Sequence, residues 1–212
     1  MNKTQMMMIE SFSNGLDKHP FTVPKKKSYN IKDLFQVELS QSQSIQVGKK
    51  IEFFINEVLH KTPNVKCHTT ESIWIDTETN RIQIGGNSKG LKDVDILFEY
   101  NKKSYYLELK SNLDLDTEKV IATTNKVKLI TDSLNKNGGY GEVESKILSP
   151  FWYKNSSIVN PFPDDKVMWI SELFKIVGIT LPKNEYNEVC IEIGKDITKR
   201  LNSKVNLEDF ME

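Results

Sequence analysis

Three observations on this 212-residue chain predict an α/β or α+β fold with a central mixed β-sheet flanked by helices. Short β-branched and aromatic runs alternate with segments of helical period, so strands and helices come in turn rather than in separate blocks. The interleaving shows no internal repeat. Finally, residues 92–100 and 104–111 are two apolar runs around the polar turn Asn101-Lys102-Lys103, the pattern of a β-hairpin.

The length suits one substantial core with appended pieces. We expect an N-terminal arm with a short helix over residues 1–44. A main domain follows over 45–212, ending in a helical part and packed with the rest as one compact body. Lys+Arg and Asp+Glu balance at 29 each, so net charge does not advertise a polyanion partner, although a basic cleft can be offset by acids elsewhere. Arg81 and Arg200 are the only arginines, and a Lys-, Asn- and Ile-rich composition fits an AT-rich genome. Cys67 and Cys190 lie far apart without a histidine pattern, which speaks against a zinc site or disulfide framework and for a reduced, intracellular chain. The run Met6-Met7-Met8-Ile9 is too short for a signal h-region and no run has membrane-spanning length, so a soluble cytoplasmic protein is expected.

In order, residues 1–30 read as a loosely held polar arm, with Lys25-Lys26-Lys27 as the alternative, a basic segment touching phosphate. The spacing predicts a short helix over 31–39 and a Gln/Ser-rich connection over 40–46. Residues 48–60 form the clearest helix of this half, with Ile51, Phe54, Ile55, Val58 and Leu59 as its buried stripe and Glu52 and Glu57 beside it. Strands are expected over 65–70, 72–76 and 81–84, the last two as a hairpin. The loop 85–90 is glycine-rich but lacks the Gly-Lys-Ser/Thr ending of a phosphate-binding loop. A helix over 117–134 starts at Asp116 or Thr117, buries Val120, Ile121, Val127, Ile130 and Leu134, and stops at Asn137-Gly138-Gly139. Then come strands over 144–148 and 167–170, a short helix over 171–177 capped by Ser171, and a C-terminal helix over 189–201.

The chemistry-bearing residues sit in the hairpin. Strand side chains alternate between faces, so Glu108 and Lys110 share one face and Leu107 and Leu109 the other. An acid beside a lysine within an apolar strand is costly unless paired. Asp95 precedes Glu108 by a spacer of twelve residues, which lets adjacent strands bring the two carboxylates together. Such carboxylates repel unless a cation lies between them, and Mg²⁺, an oxygen-seeking ion, suits that place. Leu109 can add its carbonyl oxygen, and Lys110 projects beside the water such an ion would hold. Metal, water and lysine together suit phosphodiester hydrolysis. The competing reading is a cross-strand ion pair on a half-exposed sheet.

Asp95 followed by Glu108-Leu109-Lys110 resembles the motif of the PD-(D/E)XK nuclease superfamily, with Val94 where a proline often stands. The helix over 48–60 resembles that family's N-terminal core helix, whose glutamate often joins the metal site; Glu52 matches best, with Glu57 in reserve. The segment 108–119 looks like the corresponding region of type II restriction endonucleases, and the likeness covers roughly residues 45–150. It implies a restriction-endonuclease-like core and a Mg²⁺-dependent endonuclease cutting double-stranded DNA as a homodimer at a palindromic site. Asp95 and Glu108, with Leu109, would hold the metal, Lys110 would orient or activate water, and Glu52 would assist. Lys89, Lys92, Asn112, Lys119, Lys126 and Lys128 are then the expected DNA contacts. Few arginines and many asparagines favour an A·T-rich site, with genome composition as the competing explanation. A junction-resolving or repair nuclease of the same superfamily and a non-catalytic DNA-binding module are the alternatives.

Overall fold

The computed structural model describes residues 2–18, 32–86, 89–113, 115–153 and 160–208. The run Lys25-Lys26-Lys27 and the centre of the glycine-rich loop, Asn87-Ser88, lie outside them. The elements in chain order are α1 (Lys3–Lys18), α2 (Lys32–Phe35), α3 (Gln41–Lys61), β1 (Val65–Cys67), β2 (Ile73–Asp76), β3 (Arg81–Ile84), β4 (Lys92–Val94), β5 (Ile96–Tyr100), β6 (Lys103–Leu109), α4 (Thr117–Asn137), β7 (Val143–Ser149), β8 (Val167–Trp169), α5 (Ile170–Ile176) and α6 (Lys183–Glu208). Among the described residues no helix is long and apolar enough to cross a membrane. The described residues fall into two compact units, one within Met1–Phe54 and Thr180–Glu212, the other within Ile55–Ile179. The division therefore lies inside α3.

The first unit is helical. Its N-terminal segment is not a loose arm but a 16-residue helix. The local cause is a reciprocal cap: Asn2 Oδ1 accepts from the Gln5 amide at 2.9 Å while Gln5 Oε1 accepts from the Asn2 amide at 2.6 Å. The same device starts α3. Ser40 Oγ accepts from the Gln43 amide at 3.3 Å and Gln43 Oε1 from the Ser40 amide at 2.8 Å, so the stretch expected as a connection is the start of a 21-residue helix. The predicted stripe of Ile51, Phe54, Ile55, Val58 and Leu59 is buried throughout. The short helix expected over 31–39 shrinks to α2, because Gln36 takes a positive φ of 54°. Phe12 packs against Phe35 and Phe54 with ring centroids 5.7 and 5.9 Å apart.

The second unit carries the mixed five-stranded sheet, in order β1-β5-β6-β7-β8, and a smaller sheet in order β3-β2-β4. β1-β5-β6 are antiparallel; β6-β7-β8 are parallel, with α4 as the connection from β6 to β7. The predicted hairpins are present, β2 with β3 and β5 with β6. The second is closed by two residues, Asn101 and Lys102, at φ 51° and 63°, the signature of a type I′ turn that matches strand twist. Asp116 caps α4 by accepting from the Lys119 amide at 2.9 Å, and Gly138 ends it at φ 75°. At α5 the residue before the helix is Trp169, not Ser171; its amide donates to Glu172 Oε2 at 2.7 Å. Ile73, Ile75 and Val94 of the small sheet, Leu97, Tyr106 and Val143 of the large one, and Ile130 and Leu134 of α4 form one core cluster. A second gathers Leu113, Ile147, Phe162, Val167 and Trp169. Ile121, expected on the buried face of α4, is 56% exposed.

Within the first unit α6 passes so near α2 that a Cβ added at Gly194 would lie 1.8 Å from the Phe35 carbonyl oxygen. In a solvated helix Gly→Ala stabilises by about 1 kcal/mol. Here Gly194→Ala should instead cost about 1–3 kcal/mol through overpacking. The sign in a denaturant titration decides it.

Candidate active site

Asp95 occupies the point where the chain leaves one sheet and joins the other. Val94 pairs with Ile73 of β2, whereas Ile96 pairs with Leu107 of β6. One step back along the β5–β6 register sets Asp95 opposite Glu108. Because the residue lies between two ladders, its backbone needs other partners. Asn56 Nδ2, on the part of α3 that belongs to this unit, donates to the Asp95 carbonyl at 3.0 Å. Thr69 Oγ1 donates to Asn56 Oδ1 at 2.6 Å and accepts from the Leu97 amide at 2.9 Å. This buried bracket fixes the chain on both sides of the acid.

The side chains converge as the hairpin pattern predicted. Asp95 and Glu108 are both buried. Asp95 Oδ2 accepts from the Leu109 amide at 2.8 Å. Lys110 Nζ donates to Glu108 Oε1 at 2.7 Å, which places the two on one face as alternation requires. Lys126, expected to meet DNA phosphate, turns inward from α4. Its Nζ lies 3.2 Å from Asp95 Oδ1 and 2.7 Å from Glu108 Oε2. Tyr106, buried two residues before Glu108 and on the same face, donates its hydroxyl to Glu108 Oε2 at 2.7 Å. Asp93 lies close by, with a carboxylate oxygen within 4.8 Å of one on Asp95.

The charges respond to these contacts. Burial and then the Glu108 carboxylate push Asp95 up to about 6, against the pull of Lys126 and Lys110. For Glu108 burial is also the largest influence and raises its pKa, yet Lys110 and Lys126 together outweigh it and hold the group below the ordinary carboxylate range. Lys126 is raised: burial pulls it down, but Asp95 and Glu108 prevail. Burial and then Glu108 drive the Tyr106 phenol well above its usual range, so it stays neutral and keeps the proton it donates to Glu108.

Leu109 enters the cluster through its amide. Glu52 lies half-buried on α3 in the first unit; Glu57, the reserve, faces Lys61 at 3.8 Å. Lys89, Lys92 on β4, and Lys119 and Lys128 on α4 are exposed, and Asn112 is half-buried after β6. Lys119 reaches back to Asp116 Oδ2 at 2.6 Å. Four polar residues were missed. Tyr106 was legible from the same alternation that paired Glu108 with Lys110. Asn56 carried a signal as an amide within an apolar stripe, whereas Thr69 had none. The fourth, Ser149, ends β7, where continuation of the β6–β7 register puts it opposite Lys110; it is fully buried, with no hydrogen-bond partner for its Oγ among the described residues.

The donor set fits a hard divalent cation. Two carboxylates converge, and the space between them already accepts positive charge, the Lys126 ammonium. Mg²⁺ takes one or two carboxylates and keeps waters for its other positions.

Two outcomes follow. Removing the bracket by Asn56→Ala leaves the Asp95 carbonyl and Thr69 hydroxyl short of a buried partner and should cost about 1–3 kcal/mol in a denaturant titration. The raised Asp95 sets a pH dependence. Its folded form holds a proton more tightly than an unfolded aspartate near 3.9, so in the metal-free protein Asp95 contributes stability that is lost as pH rises from about 4 to about 6, while Glu108, held low, contributes in the opposite sense. That loss should be absent in Asp95→Asn. Parallel melting curves for the two proteins across that window would contradict it.

Comparison of the chain with protein-family models, curated proteins and solved structures found no match.

Proposed function

We propose that this chain is a Mg²⁺-dependent endonuclease that hydrolyses phosphodiester bonds of double-stranded DNA, acting as a homodimer at a specific, palindromic site in the manner of type II restriction endonucleases. The observation that carries this reading is the convergence of Asp95, Glu108 and Lys110 at the end of β6, with the acids buried and Lys110 Nζ on Glu108 Oε1 at 2.7 Å. A surface ion pair needs none of that burial, and a buried carboxylate pair is costly to a fold that gains nothing from it. The bare Asp-spacer-Glu-x-Lys pattern matches by chance; buried convergence of its members is the rarer event.

Asp95 and Glu108 would hold Mg²⁺, with the Leu109 carbonyl as a further oxygen. Bound there, the ion supplies Lewis-acid polarisation of a phosphoryl oxygen and a more acidic water. The chain's own residues do the positioning. Lys110 is 28% exposed, so its ammonium stands at the border between the buried acids and solvent, where it can hold an attacking water in line with phosphorus. Tyr106 keeps the Glu108 carboxylate in one orientation through its hydroxyl. Asn56 and Thr69 hold the backbone that presents Asp95. Lys89, Lys92, Lys119, Lys128 and Asn112 are assigned to the phosphate backbone, where contacts position without reading sequence. The Asn-rich, Arg-poor composition favours adenine over guanine contacts, hence an A·T-rich target.

The test is a digest of phage DNA with Mg²⁺, followed by sequencing of the fragment ends. Discrete ends sharing one short sequence are expected. Asp95→Ala and Lys110→Ala should each lower the rate by about 10²–10³-fold or more, and excess chelator should stop cleavage. Full activity in either variant, or in chelator, sinks the reading. Cutting confined to branched DNA would assign the same site to a structure-specific nuclease.

A further inference from the structure

The proposed metal position is not simply vacant space between two acids, because Lys126 fills it with its own charge. The ammonium lies within hydrogen-bonding reach of one oxygen on each carboxylate, 3.2 Å from Asp95 and 2.7 Å from Glu108. With Lys110 on the other Glu108 oxygen, the two buried carboxylates already face two ammonium groups, and Asp93 lies close by. A divalent ion entering beside an undisplaced Lys126 would face a like charge at close range and would find one oxygen of each carboxylate already taken. Ion and ammonium therefore compete for the same lone pairs.

We propose that Lys126 is the resident counter-ion of the carboxylate pair and is exchanged for the divalent cation when the site is loaded. The inference rests on the metal-binding reading above. Two features make the exchange workable. α4 is fixed at both ends, by the Asp116 cap and the Gly138 turn, so the lysine stem is anchored while its head is free to move on four flexible carbons. The side chain is 23% exposed, so the head has a route to solvent without opening the core. The displaced ammonium then stands beside the loaded site, where a phosphodiester oxygen is its natural new partner. A DNA phosphate that captures Lys126 thus raises metal affinity, and by reciprocity the metal raises affinity for the phosphate.

The experiment is calorimetric titration of the full chain, without DNA, with Ca²⁺ and separately Mn²⁺, for wild type, Lys126→Gln, Lys126→Arg and Asp95→Asn. Lys126→Gln removes the competing charge and should bind at least about tenfold more tightly than wild type. Lys126→Arg keeps the charge and should stay near wild type, and Asp95→Asn should lose binding. Melting curves give a second readout. Lys126→Gln should be less stable than wild type without metal and should regain that loss when the cation is added. Equal or weaker binding by Lys126→Gln, with Asp95→Asn still inactive in binding, overturns the exchange and leaves the metal site standing. Unchanged binding in Asp95→Asn, or no binding by any of the four, overturns the metal reading itself and the exchange with it. A stability loss in Lys126→Gln that added cation does not recover marks a purely structural lysine and also overturns the exchange.

Discussion

Two carboxylates buried side by side demand positive charge between them, and the second unit is organised to deliver it. Glu108 is only 1% exposed and Asp95 7%, so water cannot serve as their counter-ion. The charge comes from two directions. Lys110 arrives in the same strand, two residues beyond Glu108, and Lys126 arrives from α4. The second delivery requires α4 to lie on the sheet face that carries the acids. Ile130 and Leu134 secure that placement by packing with Leu97, Tyr106 and Val143. Removing one partner of such a buried cluster costs about 3–5 kcal/mol, more than the side chain's own packing is worth. The polar centre and the apolar core beneath it therefore depend on each other.

A second constraint is the change of sheet at Asp95. A continuous strand would have aimed the acid as one of an alternating series and satisfied its backbone in a ladder. The break frees that backbone, and the Asn56–Thr69 bracket takes over the ladder's work. The acid is thus held from four sides: by β4 before it, β5 after it, α3 through Asn56, and the Leu109 amide on its carboxylate.

The sequence made the hairpin and its three charged residues legible because strand alternation is strict and local. Helices with a clear apolar stripe were equally visible, as in α3 and α4. Their starts were less so. Ser40-x-x-Gln43 and Asn2-x-x-Gln5 are capping boxes written in polar residues, and polar composition was read as connection and as arm. Lys126 shows a different limit. On a helix of mixed polarity its residue type reads as solvated or phosphate-binding; only the placement of α4 against β6 and β7 turns it inward. Long-range registry of this kind has no local signal. Ser149 belongs to the same class, since its place opposite Lys110 follows from the parallel pairing of β7 with β6.

The two-residue turn at Asn101-Lys102 lies at the opposite end of its hairpin from Asp95 and Glu108, yet it decides whether those acids meet. Both residues hold a positive φ, which closes the hairpin with Tyr100 against Lys103 and so sets Ile96 against Leu107. A slip of one residue would send Glu108 and Lys110 to the other face and bring Leu107 and Leu109 to the acid's side. Such a chain would keep its strand content and lose its buried charge cluster altogether. Information about where charge meets charge is thus stored in two backbone dihedrals that touch neither, and the meeting of Lys126 with Asp95 and Glu108 is a stricter witness to correct strand pairing than any measure of secondary structure.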